Sequence, residues 1–497
     1  MHVKLLNFGM FIPSKAWLRP PVTAALLLGA TALTAPSVRA EELMDALASA
    51  YQTSPVLQAQ RASLRATDET VSQAFSGWRP SVTASGSYGR QRIRTEQPLS
   101  FVGAGGGISN DRRISPITGE IKLSQPIFRG GRTVNGIRQA EAGVMAGREL
   151  LLSAEQTVLL GAVTAYMDVL RDIAVVDLNR NQVEVLSRQL QATNDRFRVG
   201  EITRTNVAQS EARLSGSQSN LTAAEAALIA SISAYERVIG HKPADLKDPP
   251  PPPTLPESEE AAQTQALERN PQLRAALEAE RASAHAVKVE IGKLLPTVAL
   301  EASTRVLNDV NAEGLEQDEA AIIALLQVPL YESGAVYASV RQAREINSQR
   351  RLEAAQARRQ VIEGVRNAWE GLRSTQARIL SDKEAVRANE IALEGVRQEA
   401  DVGARTTLDV LDAEQELLNA RVALVRSQRN ETVAGYNLLA SVGSLTASGL
   451  GLAVEIYDPA LHYNEVRTKM IGTHASTSEK IPETGEIFVM EGDGAPN

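Results

Sequence analysis

The sequence predicts a mainly α-helical chain with a small membrane-suited β portion, built twice from one helix–strand–strand–long helix–helix plan. Three observations carry this prediction. Sequence anchors recur at a fixed displacement, two long stretches place apolar residues at every seventh position, and four short segments alternate in polarity.

The repeat sets every other boundary. Pro126 in "QPIFRGGR" matches Pro329 in "VPLYESGA" at a displacement of 203, and Gly200 matches Gly403 and Gly240 matches Gly443 at the same distance. Upstream the displacement becomes 216, pairing Pro55 with Pro271 and Pro80 with Pro296. The difference falls between the strands, where surface loops tolerate length changes.

Segmentation follows along the chain. Residues 1–40 read as a secretory signal: Lys4, Lys15 and Arg19 precede the apolar "AALLLGATAL", and "APSVRA" supplies the small residues of a cleavage site. Its removal takes away four basic and no acidic residues, moving the formal charge from −7 to −11. The first repeat covers 41–247 and the second 259–457. Between them, at 248–258, "DPPPPPTLPE" is a stiff extended linker. The tail 458–497 is polar and aperiodic and is expected to be poorly ordered.

The long helices are expected from just after Gly131 to Val199 and from just after Gly334 to Val402. At roughly 65 residues each they extend about 100 Å, beyond a globular helix. Val365, Leu372, Ile379, Val386 and Leu393 recur every seven residues, as do Ala162, Val169, Val176, Val183 and Leu190. A strict heptad means left-handed coiled-coil packing. Leu411, Leu418 and Val425 continue the spacing after Gly403, so an antiparallel helix pair can form.

The strands come from alternation. Val82, Ala84, Gly86 and Tyr88 oppose Ser81, Thr83, Ser85 and Ser87; Ile121, Leu123 and Ile127 oppose Glu120, Lys122 and Ser124. Val298, Leu300, Ala302 and Val306 share a face, whereas "AAIIALLQV" is apolar throughout and its faces stay open. Long polar loops, including the Gly-rich "FVGAGGGISNDRR", separate the strands. Strands of roughly ten residues suit a membrane barrel or a small soluble sheet packed on the helices. Four strands cannot close on themselves, and lipid forbids open edges, so spanning would require several protomers to share one barrel.

With its signal, its duplication and the phrase "VGARTTLDVLDAEQELLNAR", the chain resembles the TolC-type outer-membrane efflux and secretion proteins from Glu41 to about Val454. The absence of cysteine places it with the non-lipidated members and excludes disulfides and thiol chemistry. The resemblance implies a homotrimer in the outer membrane, with a twelve-strand β-barrel continuing into a twelve-helix periplasmic α-barrel. It also implies docking of a periplasmic adaptor and an inner-membrane RND or ABC transporter. It further implies stacked helices over 46–78 with 205–239, and over 259–293 with 407–442.

Site residues follow from the same match. Gly200 and Gly403 cap the long helices at the periplasmic tips. Asp409 and Asp412 share a helix face and are implied to form a cation-binding pore constriction; Asp409 also completes a capping box begun by Thr406. Asn206 and Gln209 hold the equivalent positions in the first repeat. Arg405 with Thr205 and Asn206 is implied to latch the closed state, and Ala400 stands where the family has a locking tyrosine.

Other classes fit less. Adjacent helical turns do not flank a substrate as glycosidase carboxylates do, and no phosphate loop, nucleophile elbow or histidine spacing for a metal or cofactor occurs. The acidic balance argues against nucleic acid. A soluble periplasmic coiled-coil adaptor would share the signal and the hairpins but has no need of the alternating strands. Tyr88, Phe128 and Tyr331 are the candidates for an aromatic girdle.

Overall fold

Each repeat begins with two short helices where the sequence suggested one. The computed structural model describes residues 41–98, 107–252, 255–310 and 312–473, so the signal segment lies outside the described residues. The first repeat opens with α1 (Leu43–Thr53) and α2 (Pro55–Phe75), the second with α5 (Glu259–Arg269) and α6 (Pro271–Ile291). The repeat anchors Pro55 and Pro271 are the breakers. Proline has no N–H to donate, and its ring pushes the preceding residue out of helical conformation. Ser54 and Asn270 then cap the second helix: Ser54 Oγ accepts from Leu57 N, and Asn270 Oδ1 accepts from the amides of Gln272 and Leu273.

Between these helices and the long ones lie the strands. The first repeat contributes β1 (Ser81–Tyr88), β2 (Gln91–Pro98), β3 (Gly107–Ile114) and β4 (Ile117–Arg129). The second contributes β5 (Thr297–Asn308) and β6 (Glu316–Gln327). One antiparallel sheet has the order β1-β4-β5-β6. The expected polar loop of the first repeat is instead largely a separate β2–β3 hairpin, clasped by the Arg92–Asp111 ion pair; residues 99–106 lie outside the described residues.

Register resolves the faces that alternation left open. Val82, Leu123, Ala302 and Ile322 stand opposite one another across all four strands, and Ala84 and Ile121 lie on the same face. Ala324 and Leu326 oppose Leu300 and Val298, so these residues of β6 join the apolar face. The other face carries Glu120, Arg305 and Glu319 in one row, with Lys122 reaching Glu301 at 2.9 Å. A register shift between Pro126 and Phe128 leaves Ile127 without an opposing residue and sets Phe128 beside Val298. Phe128, not Ile127, therefore extends the apolar face.

The long helices α3 (Arg132–Arg198) and α7 (Ala335–Asp401) have 67 residues each, and α4 (Arg204–Ile239) and α8 (Thr407–Val442) have 36 each. α4 folds back on α3 and α8 on α7. The heptad residues Val365, Leu372, Ile379 and Leu393 are buried, as are Ala162, Val169 and Val176. The α3 seam also buries polar residues that the heptad reading missed: Asp172, Asn179 and Thr193. Asn179 and Thr193 donate to backbone carbonyls of their own helix, so burial leaves these donors satisfied.

The expected stacking is realised end to end. α4 finishes where α2 begins, and the hydroxyls of Ser49 and Thr53 on α1 both donate to the Ile239 carbonyl at 3.0 Å. At the equivalent junction Asn270 Nδ2 donates to the Ser441 carbonyl at 2.9 Å. The main core gathers there, around Leu47, Leu57, Leu159, Tyr166, Tyr235 and Tyr436. Pro252 of the linker lies against Gly435, where a Cβ would come within 2.7 Å of the proline ring.

The chain beyond Asp458, expected to be poorly ordered, forms α10 (Pro459–Val466) and packs on α2. His462 Nδ1 meets Asp68 Oδ2 at 3.0 Å in a buried contact, and Ser72 and Arg79 donate to the Lys469 carbonyl. The Asp68 contact from α2 and the burial of Val466, 1% exposed, both anchor this segment. Residues 474–497 lie outside the described residues.

Asn270 is 7% exposed and serves both the α6 cap and the α8 junction. Asn270→Ala is expected to destabilise the protein by about 2 kcal/mol, seen as a lower unfolding midpoint. An unchanged midpoint would count against the junction.

Candidate functional site

The tips of the two long hairpins are built alike. Gly200 and Gly403 have φ values of +77° and +79°, the left-handed region that favours glycine. Gly403 N donates to the Ala400 carbonyl and Ala404 N to the Glu399 carbonyl; Gly200 and Glu201 do the same to Phe197 and Arg196. These paired bonds satisfy the last carbonyls of α7 and α3 and turn the chain sharply.

The caps that follow differ. On α8, Thr406 Oγ1 accepts from Asp409 N, while Asp409 Oδ2 accepts from Thr406 N at 2.9 Å and from its hydroxyl at 2.8 Å. The Thr406 backbone N–H, then its hydroxyl and the nearby Arg405 charge, hold the Asp409 carboxyl below the usual carboxylate range. On α4, Thr203 and Asn206 occupy the matching positions; the Thr203 hydroxyl donates to Asn206 Oδ1 at 2.9 Å, without a reciprocal box.

Asp412 follows one turn after Asp409, and Arg213 from α4 forms an ion pair with it. The charged partner of this carboxylate therefore comes from the other repeat. Arg405 donates to Glu399 at 2.8 Å, closing the α7–α8 turn on itself. Its predicted partner Thr205 lies on the exposed first turn of α4, and the latch contact is not made within one chain. Asn206 and Arg405 nevertheless line one cleft between the two tips, with Arg188, Arg397 and Glu414 among its walls.

Behind the tip, polar contacts bind α8 to α7. Glu414, buried, pairs with Arg397, Arg421 reaches Glu390 at 2.8 Å, and the Ser427 hydroxyl donates to Asp382 at 2.5 Å. Sequence reading missed Arg213 and these cross-hairpin partners. The signal for Arg213 was its place seven residues after Asn206, two turns along the same helix face. Among the described residues no cluster of three or more His, Asp or Glu is placed to hold a metal ion, and no helix is long and apolar enough to cross a membrane.

The sheet is the second candidate surface. β1 is exposed at every position and β6 at all but one, and the large apolar residues Val82, Ile322 and Leu326 are 64%, 78% and 63% exposed. Tyr88, Phe128 and Tyr331 are exposed as well.

Known proteins share this plan. The family described as "Outer membrane efflux protein" matches residues 46–241 and 263–444. Outer membrane efflux protein BepC of Brucella suis is 35% identical over 452 residues, covering 91% of this chain and 96% of that protein. Outer membrane protein TolC of Escherichia coli is 25% identical, with 83% and 84% covered. The CmeC outer membrane channel of Campylobacter jejuni shares the fold at a TM-score of 0.71 and 16% identity, over 86% of this chain and 89% of that one.

A depressed carboxyl stabilises the folded cap above the unfolded value, and that stabilisation is lost as pH falls through the folded value. The first turn of α8 is therefore expected to fray only below the ordinary aspartate value of 3.8. Hydrogen exchange at its first amides should accelerate there, while the asparagine-bearing first turn of α4 should not respond. Parallel behaviour of both turns would contradict the assignment.

Proposed function

The chain belongs to the outer membrane efflux protein family of transport channels, located in the outer membrane with a tunnel in the periplasm, and from that premise we propose how it forms its duct. Three copies pool their four-stranded sheets into one twelve-strand barrel, β6 of each pairing with β1 of the next. The carrying observation is a sheet with both edge strands unpaired among the described residues, with one mainly apolar face and an opposite face that carries the ionic row together with Ile323 and Leu325 of β6. The apolar face suits lipid, and the row of Glu120, Arg305 and Glu319 suits a water-filled interior. The α-helices continue as a twelve-helix tunnel, consistent with the stacking of α4 on α2 and α8 on α6. A soluble periplasmic adaptor, the competing reading, leaves so exposed an apolar sheet unexplained.

At the tips, Asp409 and Asp412 from three copies form an anionic constriction of six carboxylates. Arg405 with Thr205 and Asn206 forms the closed-state latch between neighbouring tips, at the cleft that Arg405 and Asn206 already share. Opening exchanges the Arg405–Glu399 contact and the latch for contacts with a periplasmic adaptor. An inner-membrane RND or ABC transporter supplies the cargo, drugs or secreted protein, and the duct itself performs no chemistry.

Purified protein in planar bilayers is expected to form a channel blocked by multivalent cations. Asp409→Ala with Asp412→Ala is expected to abolish the block, and persistence of the block would refute the constriction. Arg405→Ser is expected to raise single-channel conductance; an unchanged conductance would remove Arg405 from the latch.

A further inference from the structure

The two tip helices carry different charge patterns at matching positions. On α8, Asp409, Asp412 and Glu416 fall at i, i+3 and i+7, along one helix face. The residues 203 positions earlier, on α4, are Asn206, Gln209 and Arg213. One duplicated face is thus acidic and the other neutral to basic. The fold brings the two faces into contact at one point, where the Arg213 guanidinium donates to the Asp412 carboxylate. With 41% and 54% of their side chains exposed, both partners stay open to mobile ions. Asp409, one turn away, is held by its own helix N-terminus instead.

We propose that Arg213 is a tethered counter-ion that sets the cation affinity of the constriction by occupying Asp412. The proposal rests on the constriction reading above and names a specificity-determining residue within it. A cation arriving at Asp412 must displace the guanidinium or share the carboxylate with it. In a trimer, three guanidiniums offset three of the six carboxylates. Because they are covalently attached, they compete at every salt concentration, whereas mobile counter-ions compete only in proportion to theirs. An exposed pair is weak enough to be exchanged, so Arg213 tunes the site without closing it.

The test is planar-bilayer recording of the full-length trimer with hexaamminecobalt(III) as the blocking cation. Arg213→Gln is expected to lower the half-blocking concentration about two- to fivefold. It should also shift the reversal potential in a potassium chloride gradient toward potassium selectivity. Arg213→Lys should restore both readouts, which a purely structural role would not predict, and Arg213→Gln on an Asp412→Asn background should change neither. If Arg213→Gln alters neither readout while Asp409→Ala with Asp412→Ala still loses the block, the counter-ion assignment is overturned and the constriction stands. If the double alanine variant keeps the block, the constriction falls and this proposal falls with it.

Discussion

In hydrocarbon every backbone N–H and C=O must find a protein partner, because no water is present to take its place. The ladder β1-β4-β5-β6 meets this demand internally and leaves it unmet along one side of β1 and one side of β6. The rest of the architecture is arranged around those two edges. A four-strand strip cannot curl into a tube, since about eight strands make the smallest closed barrel. In the proposed barrel another chain continues the strip, and the register that aligns Val82, Leu123, Ala302 and Ile322 sets the face turned to lipid. The cross-strand ion pairs Lys122–Glu301 and Arg305–Glu120 then lie on the side that water can reach.

Duplication supplies the geometry twice, and divergence supplies the differences that matter. Both stacking junctions satisfy helix-terminal carbonyls, one with the hydroxyls of Ser49 and Thr53 and the other with the Asn270 amide. Both tips turn on a left-handed glycine. Charge is where the copies part. The α7–α8 hairpin is tied by Arg397–Glu414 and Arg421–Glu390, whereas the salt bridge spanning α3 and α4 among the described residues is Arg180–Glu225 at 3.7 Å. The second hairpin thus carries more cross-helix ion pairs among the described residues, and it also carries the acidic face.

Much of this was legible in the sequence because it rests on periodicity and backbone punctuation. The heptad of α7, the limits of α3 and α7, and the glycine caps are local properties that a linear pattern records. The breaks at Ser54 and Asn270 are also marked, since proline follows each, but the prolines double as repeat anchors, which masks their role as breakers. The faces of β6 were not legible: "AAIIALLQV" is apolar on both sides, and only pairing with β5 assigns Ile322 and Leu326 to one of them. Contacts between distant segments escaped for the same reason. Arg213 meets Asp412 across 199 residues, and His462 meets Asp68 across 394. No local pattern encodes such separations.

In the proposed barrel the bulge at Ile127 also acts as a depth gauge. By turning Phe128 outward beside Val298, it puts an aromatic ring at the helix-proximal rim of the sheet, while Tyr88 opposite Ile117 marks the distal rim. A strand of 12 residues such as β5 rises about 40 Å along its own axis and about 28 Å when tilted by 45°. That matches the ~25 Å apolar band such barrels present. On that proposal two rings, one at each rim of the sheet, set how far the molecule sinks into its bilayer, and the helices below have the rest of the compartment to bridge.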